Sequence, residues 1–171
     1  MPIQLGIRQQ GATLIVCLVF LLILTMIGVS SIQSATLQEQ MAGSARDYNA
    51  AFLAAEFSLR EGESYLQSAT LGDFAGTQGR FVICSPASTA AACMAPSWSN
   101  RASTGWVTQS GLGHVSTQPQ YIIEKYPVVV DVNAPLDADT PPVQIEVYRV
   151  TARGFGVSEN SMSVLQTTYR R

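Results

Sequence analysis

Residues 12–29 read ATLIVCLVFLLILTMIGV, and no other part of the chain constrains its structure as strongly. No charged residue occurs from Gln9 to Gln38, although the whole chain has 10 basic and 12 acidic side chains. With the neutral residues 30–35 added, the stretch can cross a hydrocarbon layer of about 30 Å as an α-helix. The sequence therefore predicts a membrane-spanning helix close to the N-terminus.

The residues on either side of this stretch indicate its orientation. Arg8 and the amino terminus precede it, and Glu39, Arg46 and Asp47 follow it. This charge distribution favours a cytoplasmic N-terminus and an exported C-terminal part. A cleaved secretory signal is one alternative, but such signals have an apolar core of only about 7–15 residues. A plain membrane anchor is another.

A third interpretation rests on the short basic leader, which ends in glycine directly before the apolar stretch, in RQQGATLIV at residues 8–16. Glycine suits a cleavage site because the missing side chain lets the backbone enter a protease cleft in extended form. The arrangement resembles the class III signal of type IV prepilins, which a dedicated prepilin peptidase cuts at the cytoplasmic face. The resemblance implies cleavage between Gly11 and Ala12, with the apolar helix kept on the mature chain.

Helical periodicity continues beyond the membrane boundary, without a proline until after Ser85. Apolar residues at helical spacing predict one buried face, formed by Leu37, Met41, Ala45, Tyr48, Phe52, Ala55, Leu59 and Leu66. We therefore expect a leader at residues 1–11, a transmembrane and assembly helix at 12–35, its amphipathic continuation at 36–69 and a periplasmic globular domain at 70–171.

A helix that is half in the membrane and half packed on its own domain resembles the architecture of type IV pilins. A stalk or signalling coiled coil is the alternative, but heptads do not persist. Several short segments look like those of PilX-type minor pilins: GATLIV at 11–16, QEQMAG at 38–43, RD at 46–47, AAE at 54–56, LR at 59–60, GE at 62–63, YRVTARGFG at 148–156 and VLQTTY at 164–169. Residues 70–140 carry no diagnostic motif.

The resemblance implies a structural, non-catalytic minor pilin that acts in pilus assembly within a priming or tip complex. The implied partners are other minor pilins, the major pilin, the prepilin peptidase, the inner membrane and a large tip adhesin. The implied location is a single pass through the inner membrane, followed by the pilus tip. One alternative is a tip adhesin or docking module that uses Trp98, Trp106 and residues 84–93, and another is a type II secretion pseudopilin.

The assembly helix differs from that of most pilins, which carry glutamate at the fifth mature position to pair with a neighbouring amino terminus. Here that position is Val16, and we expect it to pack with Phe20 and Gly28 against other helices. A carboxylate within a bilayer costs roughly 2.5–3.5 kcal/mol, so it persists only where a cation compensates it. Either the residue has drifted, or the subunit receives no neighbouring amine because it lies at or near the filament tip.

The globular domain is predicted to have strands at residues 81–84, 106–109, 121–131, 142–153 and 162–169. In the fourth of these, apolar Val143, Ile145 and Val147 alternate with polar residues, as in a strand buried on one face. Pro127 predicts a bend or an edge position within 121–131. We expect an α+β type IV pilin fold, with the helix packed on an antiparallel sheet of three to five strands.

Two cysteines, Cys84 and Cys93, lie in the part predicted to be exported, where oxidising conditions favour a disulfide. A metal-binding pair is the alternative. Cys17 lies within the apolar helix and is most simply a packing residue.

Little in the sequence indicates catalysis or a cofactor. The single histidine, His114, lies in a loop rich in glycine, serine and threonine, where a solvated role is expected. Asp131, Asn133, Asp137 and Asp139 form an acidic cluster that could hold calcium, but the spacing matches no EF-hand and a surface turn is the simpler interpretation. The net charge of -2 argues against nucleic-acid binding. We expect no catalytic residue, no metal and no cofactor.

Overall fold

A computed structural model describes residues 11–130 and 144–171. The leader residues 1–10 and the possible calcium ligands Asp131, Asn133, Asp137 and Asp139 lie outside the described residues. Within these two ranges, one α-helix, α1, spans Ala12–Leu66, and one 3-10 turn spans Ala91–Cys93. The strands of the described ranges are β1 (Arg80–Val82), β2 (Val107–Thr108), β3 (Gln120–Lys125), β4 (Val129–Val130), β5 (Gln144–Ile145), β6 (Val147–Phe155) and β7 (Met162–Arg170).

The helix begins at the predicted residue but ends at Leu66 rather than at about Ala69. The last turn leaves carbonyl groups without helical partners. The Ser68 hydroxyl donates a hydrogen bond to the Tyr65 carbonyl oxygen at 2.7 Å. This bond satisfies one of the carbonyl groups at the end of the helix.

The chain divides into a helical unit, Met1–Ser44, and a globular unit, Ala45–Arg171, with α1 contributing to both. In the helical unit, α1 is long and apolar enough to cross a membrane, with a mean hydropathy of 2.9 in its most apolar window. None of that window is buried. The observation fits a single-pass membrane anchor.

The globular unit contains a five-stranded sheet in the order β1, β3, β6, β7, with β2 also paired to β3. The pairs of β3 with β6, β6 with β7 and β2 with β3 are antiparallel, as predicted, whereas β1 is parallel to β3. A long connection, residues 83–119, returns the chain in the same direction and permits this parallel pair. The predicted α+β pilin fold is confirmed, with a mixed sheet.

Two predicted strands are each divided. The segment predicted at 121–131 forms β3 and, after a bend at Pro127, β4. The described part of the segment predicted at 142–153 forms β5 and β6, separated at Glu146. The short strands β4 and β5 pair only with each other and form a second, two-stranded sheet.

The predicted buried face of the helix is wrong in part. Leu37, Met41, Tyr48 and Phe52 are 54%, 66%, 57% and 39% exposed, whereas Ala55 and Leu66 are buried as expected. The buried face of the helix within the globular unit consists mainly of small residues: Ala51, Ala54, Ala55, Ser58, Gly62 and Leu66.

The reason lies in the strand beneath the helix. A Cβ atom at Gly154 of β6 would lie 2.1 Å from the Ala55 nitrogen and 2.3 Å from the Ala51 carbonyl oxygen. The backbones of α1 and β6 therefore touch directly, and only small side chains fit between them. Next to this contact, a buried cluster is formed by Leu66, Tyr121, Ile123, Tyr148, Val150 and Ala152.

Gly154→Ala is expected to destabilise the globular unit, because its methyl group would overlap the helix backbone. Overpacking of this kind costs about 1–3 kcal/mol or more. Thermal unfolding of the full chain in detergent, followed by circular dichroism, would measure the loss. Gly113→Ala is the matched control, since a Cβ atom at Gly113 meets nothing within 4 Å. Equal midpoints for the two variants would contradict the proposed close contact.

Candidate functional site: the apolar helix and the polar contacts of the globular unit

The predicted assembly residues lie on a helix surface that has no packing partner within the described chain. Ala12 is the first residue of α1, directly after Gly11. Val16 is 52% exposed, Phe20 is 63% exposed, and a Cβ atom at Gly28 would meet nothing within 4 Å. A continuous apolar surface of this size marks contact with lipid or with other helices.

The polar groups in this part of the helix are satisfied locally. The Thr25 hydroxyl donates to the Leu22 carbonyl oxygen at 2.8 Å, and the Ser31 hydroxyl donates to the Ile27 carbonyl oxygen at 2.9 Å. Cys17 is a free, exposed cysteine on the same helix. The surface can therefore enter an apolar medium without leaving these hydroxyls unpaired.

In the globular unit, Cys84 and Cys93 form the predicted disulfide, with Cα atoms 5.5 Å apart. The two tryptophans suggested as contact residues differ in their surroundings. Trp98 is 57% exposed, whereas Trp106 is half-buried and donates its indole N–H to the Ser103 hydroxyl at 3.0 Å. Of the two, Trp98 is the one available to a partner.

Trp106 contacts Arg153, and nothing in the sequence indicated this contact. Arg153 on β6 is only 1% exposed, and its guanidinium lies 4.2 Å from the Trp106 ring centroid. It donates to the Gln120 side-chain oxygen at 2.8 Å and to the Asn100 carbonyl oxygen at 2.8 Å. Burial lowers the pKa of Arg153, but these acceptors and the ring compensate the charge. Arg153 thereby ties residues 100–106 to the sheet.

A second charged cluster lies on β3 and β6. Glu124 accepts two hydrogen bonds from Arg149, each 2.8 Å long, in the geometry typical of strong carboxylate–guanidinium pairs. Glu146 accepts from Lys125 and from the Tyr148 hydroxyl, both at 2.5 Å. The hydrogen bond from Lys125 lowers the pKa of Glu146. Lys125, Glu124, Glu146 and Arg149 are therefore paired with one another and not with an outside ligand.

Asp47 is the most heavily bonded carboxylate of the helix. Its Oδ1 atom accepts from the backbone N–H groups of Val157 at 2.6 Å and Ser158 at 3.1 Å. Its Oδ2 atom accepts from the hydroxyls of Ser158 and Ser161. Hydrogen bonds from these hydroxyls lower the pKa of Asp47 to about 2. The carboxylate fixes the turn between β6 and β7 to α1.

Gly156 allows this carboxylate to approach, because a Cβ atom there would lie 2.3 Å from Oδ1 of Asp47. In the sequence, Asp47 was only one of the charges after the apolar stretch and part of a resembling segment, and Arg153, Gly154 and Gly156 were only parts of another such segment. A carboxylate on a helix face and two closely spaced glycines at the end of a strand were the available signals. They gave no indication of which groups would meet.

Among the described residues, no group of three or more His, Cys, Asp or Glu side chains could hold a metal ion. The suggested calcium ligands at 131, 133, 137 and 139 lie outside those residues, so that suggestion stays open. His114 is exposed and has a φ of 60°. Nothing in the described geometry assembles a nucleophile, base or cofactor cradle around it.

Asp47→Asn is expected to loosen the turn at residues 156–161, since a neutral amide replaces a carboxylate that accepts four hydrogen bonds. The pKa of Asp47 falls from 3.8 to about 2 on folding, so its contribution is present above about pH 4 and is lost as the pH falls through 2. Hydrogen exchange of residues 156–161 between pH 5 and pH 2 would measure this. Asp73→Asn is the control, and the same exchange profile in both variants would refute the assigned role.

Two family models match the chain, one in its N-terminal part and one in its C-terminal part. The family described as PilX N-terminal matches residues 10–60, and the family described as type IV pilus assembly protein PilX C-term matches residues 62–171. No curated protein and no solved structure gives a significant match. Both matches fit the long apolar helix and the α+β globular unit. The chain belongs to the PilX family of type IV pilus assembly proteins and is a minor pilin.

Proposed function

We propose that this minor pilin is stored in the inner membrane and then joins other minor pilins in the complex that primes pilus polymerisation, at or near the tip. The observation that carries the proposal is the uncharged surface of α1. Its large apolar side chains from Leu14 to Ile32 are between 46% and 67% exposed. A helix with this surface requires lipid or neighbouring helices around it.

Maturation would release this helix for assembly. Cleavage by prepilin peptidase between Gly11 and Ala12 would leave a new amino terminus at the first residue of α1. Arg8 before the helix and the acidic residues after it support a cytoplasmic leader and a periplasmic C-terminal part. The proposed segments are therefore a leader at 1–11, an assembly helix at 12–35, its continuation at 36–69 and a periplasmic domain at 70–171.

Assembly would exchange lipid contacts of the helix for contacts with neighbouring subunits. Lipid tails are as apolar as the side chains, so close packing decides the energy of this exchange. The open surface at Gly28 permits close approach of a partner helix. Val16 and Phe20 lie on the same exposed helix and would contribute van der Waals contact with other minor pilins or the major pilin.

Val16 supports a position at or near the tip. A valine cannot pair with the amino terminus of a neighbouring subunit, so the subunit would gain nothing from a neighbour that offers such a cation. A subunit at the end of the filament has no need of that pair. The same argument disfavours a role as the repeating major subunit.

A second role in contact with an adhesin or an external surface is favoured by two exposed apolar side chains near the disulfide. Met94 is 65% exposed and Trp98 is 57% exposed. Such side chains suit a protein interface. A docking role for a large tip adhesin would be compatible with the assembly role.

Gly11→Val is expected to leave an uncleaved precursor in the membrane and few surface pili, because a branched side chain would obstruct the peptidase cleft. Mass spectrometry of the membrane-bound chain would give its N-terminus, and shearing of cells would give the amount of pili. Gly6→Val in the same leader is the control and should be processed normally. Normal piliation with an unprocessed Gly11→Val chain would count against the proposal.

Val16→Glu is expected to reduce incorporation of the chain into pili, because an uncompensated carboxylate in the bilayer costs roughly 2.5–3.5 kcal/mol. Quantitative immunoblots of sheared pili would measure the change, and immunogold labelling would show where the subunit lies. Val16→Leu is the control for shape. Tip placement would be refuted if the Glu variant assembled fully and labelled the whole length of the filament.

A further inference from the structure

A cleft of about 410 Å³ opens on the globular unit, between the end of α1 and the sheet edge that carries β1 and β2. Three aromatic side chains line it, those of Tyr65, Trp106 and Tyr121. Trp106 is half-buried, so it forms part of the wall and not an exposed contact. Arg80 of β1 and Gln78, in the turn before β1, add polar groups. Aromatic walls with a few polar groups are typical of ligand sites.

Arg80 gives the cleft a positive charge, and neutral groups hold its guanidinium in place. Its Nε donates to the Asp73 carbonyl oxygen at 3.0 Å, its Nη1 to the Tyr65 hydroxyl at 3.1 Å and its Nη2 to the Gln78 side-chain oxygen at 2.6 Å. A guanidinium has five N–H donors, so two remain after these three bonds. No ion pair of the described residues includes Arg80. The cleft therefore contains a fixed cation that no carboxylate of the described chain neutralises.

Two further polar side chains of the lining also offer donors. The Tyr65 hydroxyl accepts from Arg80 and from the Gly72 N–H, each at 3.1 Å, which leaves its own O–H to donate. The Gln78 side-chain oxygen accepts from Arg80, which leaves the two N–H groups of the amide. A ligand that enters the cleft must therefore supply acceptors.

The backbone of Gln78 is held in a conformation that glutamine disfavours. Its φ is 51° and that of Gly79 is 71°, and the Arg80 N–H donates to the Thr77 carbonyl oxygen at 3.1 Å. Where two central residues of a tight turn both have positive φ, Asn, Asp or Gly is preferred at the first. Strain of this kind occurs at ligand sites. The turn thus carries a cost in stability while it places an amide beside Arg80.

A carboxylate near the cleft limits the charge that a ligand can carry. Burial raises the pKa of Tyr121; the charge of Glu61 adds to this rise, and that of Arg80 opposes it. Both charges therefore lie near the Tyr121 hydroxyl. Glu61 is exposed and belongs to none of the ion pairs of the described residues. One cation beside one carboxylate suits a ligand with a single negative charge better than a dianion.

We infer that this cleft binds a uronic acid residue of an extracellular polysaccharide. The carboxylate would accept hydrogen bonds from the two remaining N–H groups of Arg80. The apolar C–H face of the sugar ring would pack on the aromatic walls, and its hydroxyls would accept from Gln78 and Tyr65. The cleft is open to solvent, so the polymer can continue out of it. The inference goes beyond the assembly role and takes from it only the proposed export of the globular domain.

Binding of D-glucuronate to the purified full chain in detergent, titrated by saturation-transfer NMR, tests the ligand class. D-glucose supplies the ring without the carboxylate, and propionate supplies a carboxylate without the ring. Each should bind at least about tenfold more weakly than glucuronate. Equal affinity for either, or no binding of glucuronate, would overturn the inference. Tighter binding of glucose 6-phosphate would assign the cleft to a phosphate ligand and overturn it as well.

Substitutions test the assigned groups. Arg80→Gln should weaken glucuronate binding at least about tenfold, because it removes the cation. Arg46→Gln is the matched control, since it removes an exposed arginine of the globular unit that does not line the cleft. Glu61→Gln should strengthen binding by about twofold or more, because it removes the nearby negative charge. Unchanged affinity in a folded Arg80→Gln chain would refute the site.

Gln78→Gly separates ligand binding from a purely structural role of the turn. Glycine adopts a positive φ without strain, so the thermal unfolding midpoint should not fall, whereas glucuronate binding should weaken. Where Arg80→Gln unfolds, this variant and Glu61→Gln decide, and unchanged affinity in both would overturn the inference. All of these measurements use the purified chain, so their failure would leave the assembly role intact, and absence of the chain from pili would leave the binding result unaffected.

Discussion

The globular unit depends on direct contact between the backbones of α1 and β6. Gly154 allows the strand to approach the helix backbone at Ala51 and Ala55, where any side chain on the strand would overlap it. Gly62 lies about two helical turns beyond Ala55. A Cβ atom added there would lie 2.6 Å from the Val150 side chain. This spacing permits only small residues along most of the buried face. It also explains why Tyr48 and Phe52 remain on the outer side of the helix.

Polar contacts also hold the helix and the loops to the sheet. Asp47 joins the helix to the turn between β6 and β7, and Arg153 joins residues 100–106 to the sheet. Both use charged groups that accept or donate several hydrogen bonds, which is the condition under which buried or half-buried charge is tolerated. Residues 100–103 and the turn at 157–161 are thereby fixed to the sheet and to the helix.

The helical unit follows a different principle. Large apolar side chains are exposed along it from Leu14 to Ile32, and the hydroxyls of Thr25 and Ser31 bond to their own backbone. Such a surface is suited both to lipid and to neighbouring helices, as the proposed assembly role requires.

The sequence by itself determined the helix near the N-terminus, because apolar composition over 18 residues is a local property. It also predicted the pairing of Cys84 with Cys93, since the third cysteine lies in the apolar stretch. The resembling segments indicated the PilX family, which the family matches then supported. Helical periodicity alone did not give the buried face, because Leu37, Met41, Tyr48 and Phe52 fit the period equally well.

Only the tertiary structure decided which groups meet. The contact of Asp47 with Val157 joins residues 110 positions apart, and no local pattern encodes such a pair. The parallel direction of β1 depends on the long connection, residues 83–119, that leads from β1 to β3, and Arg153 is bonded to residues 100–103 of that connection. These features depend on the simultaneous fit of distant segments. Local propensity acts over a few residues and therefore could not specify them.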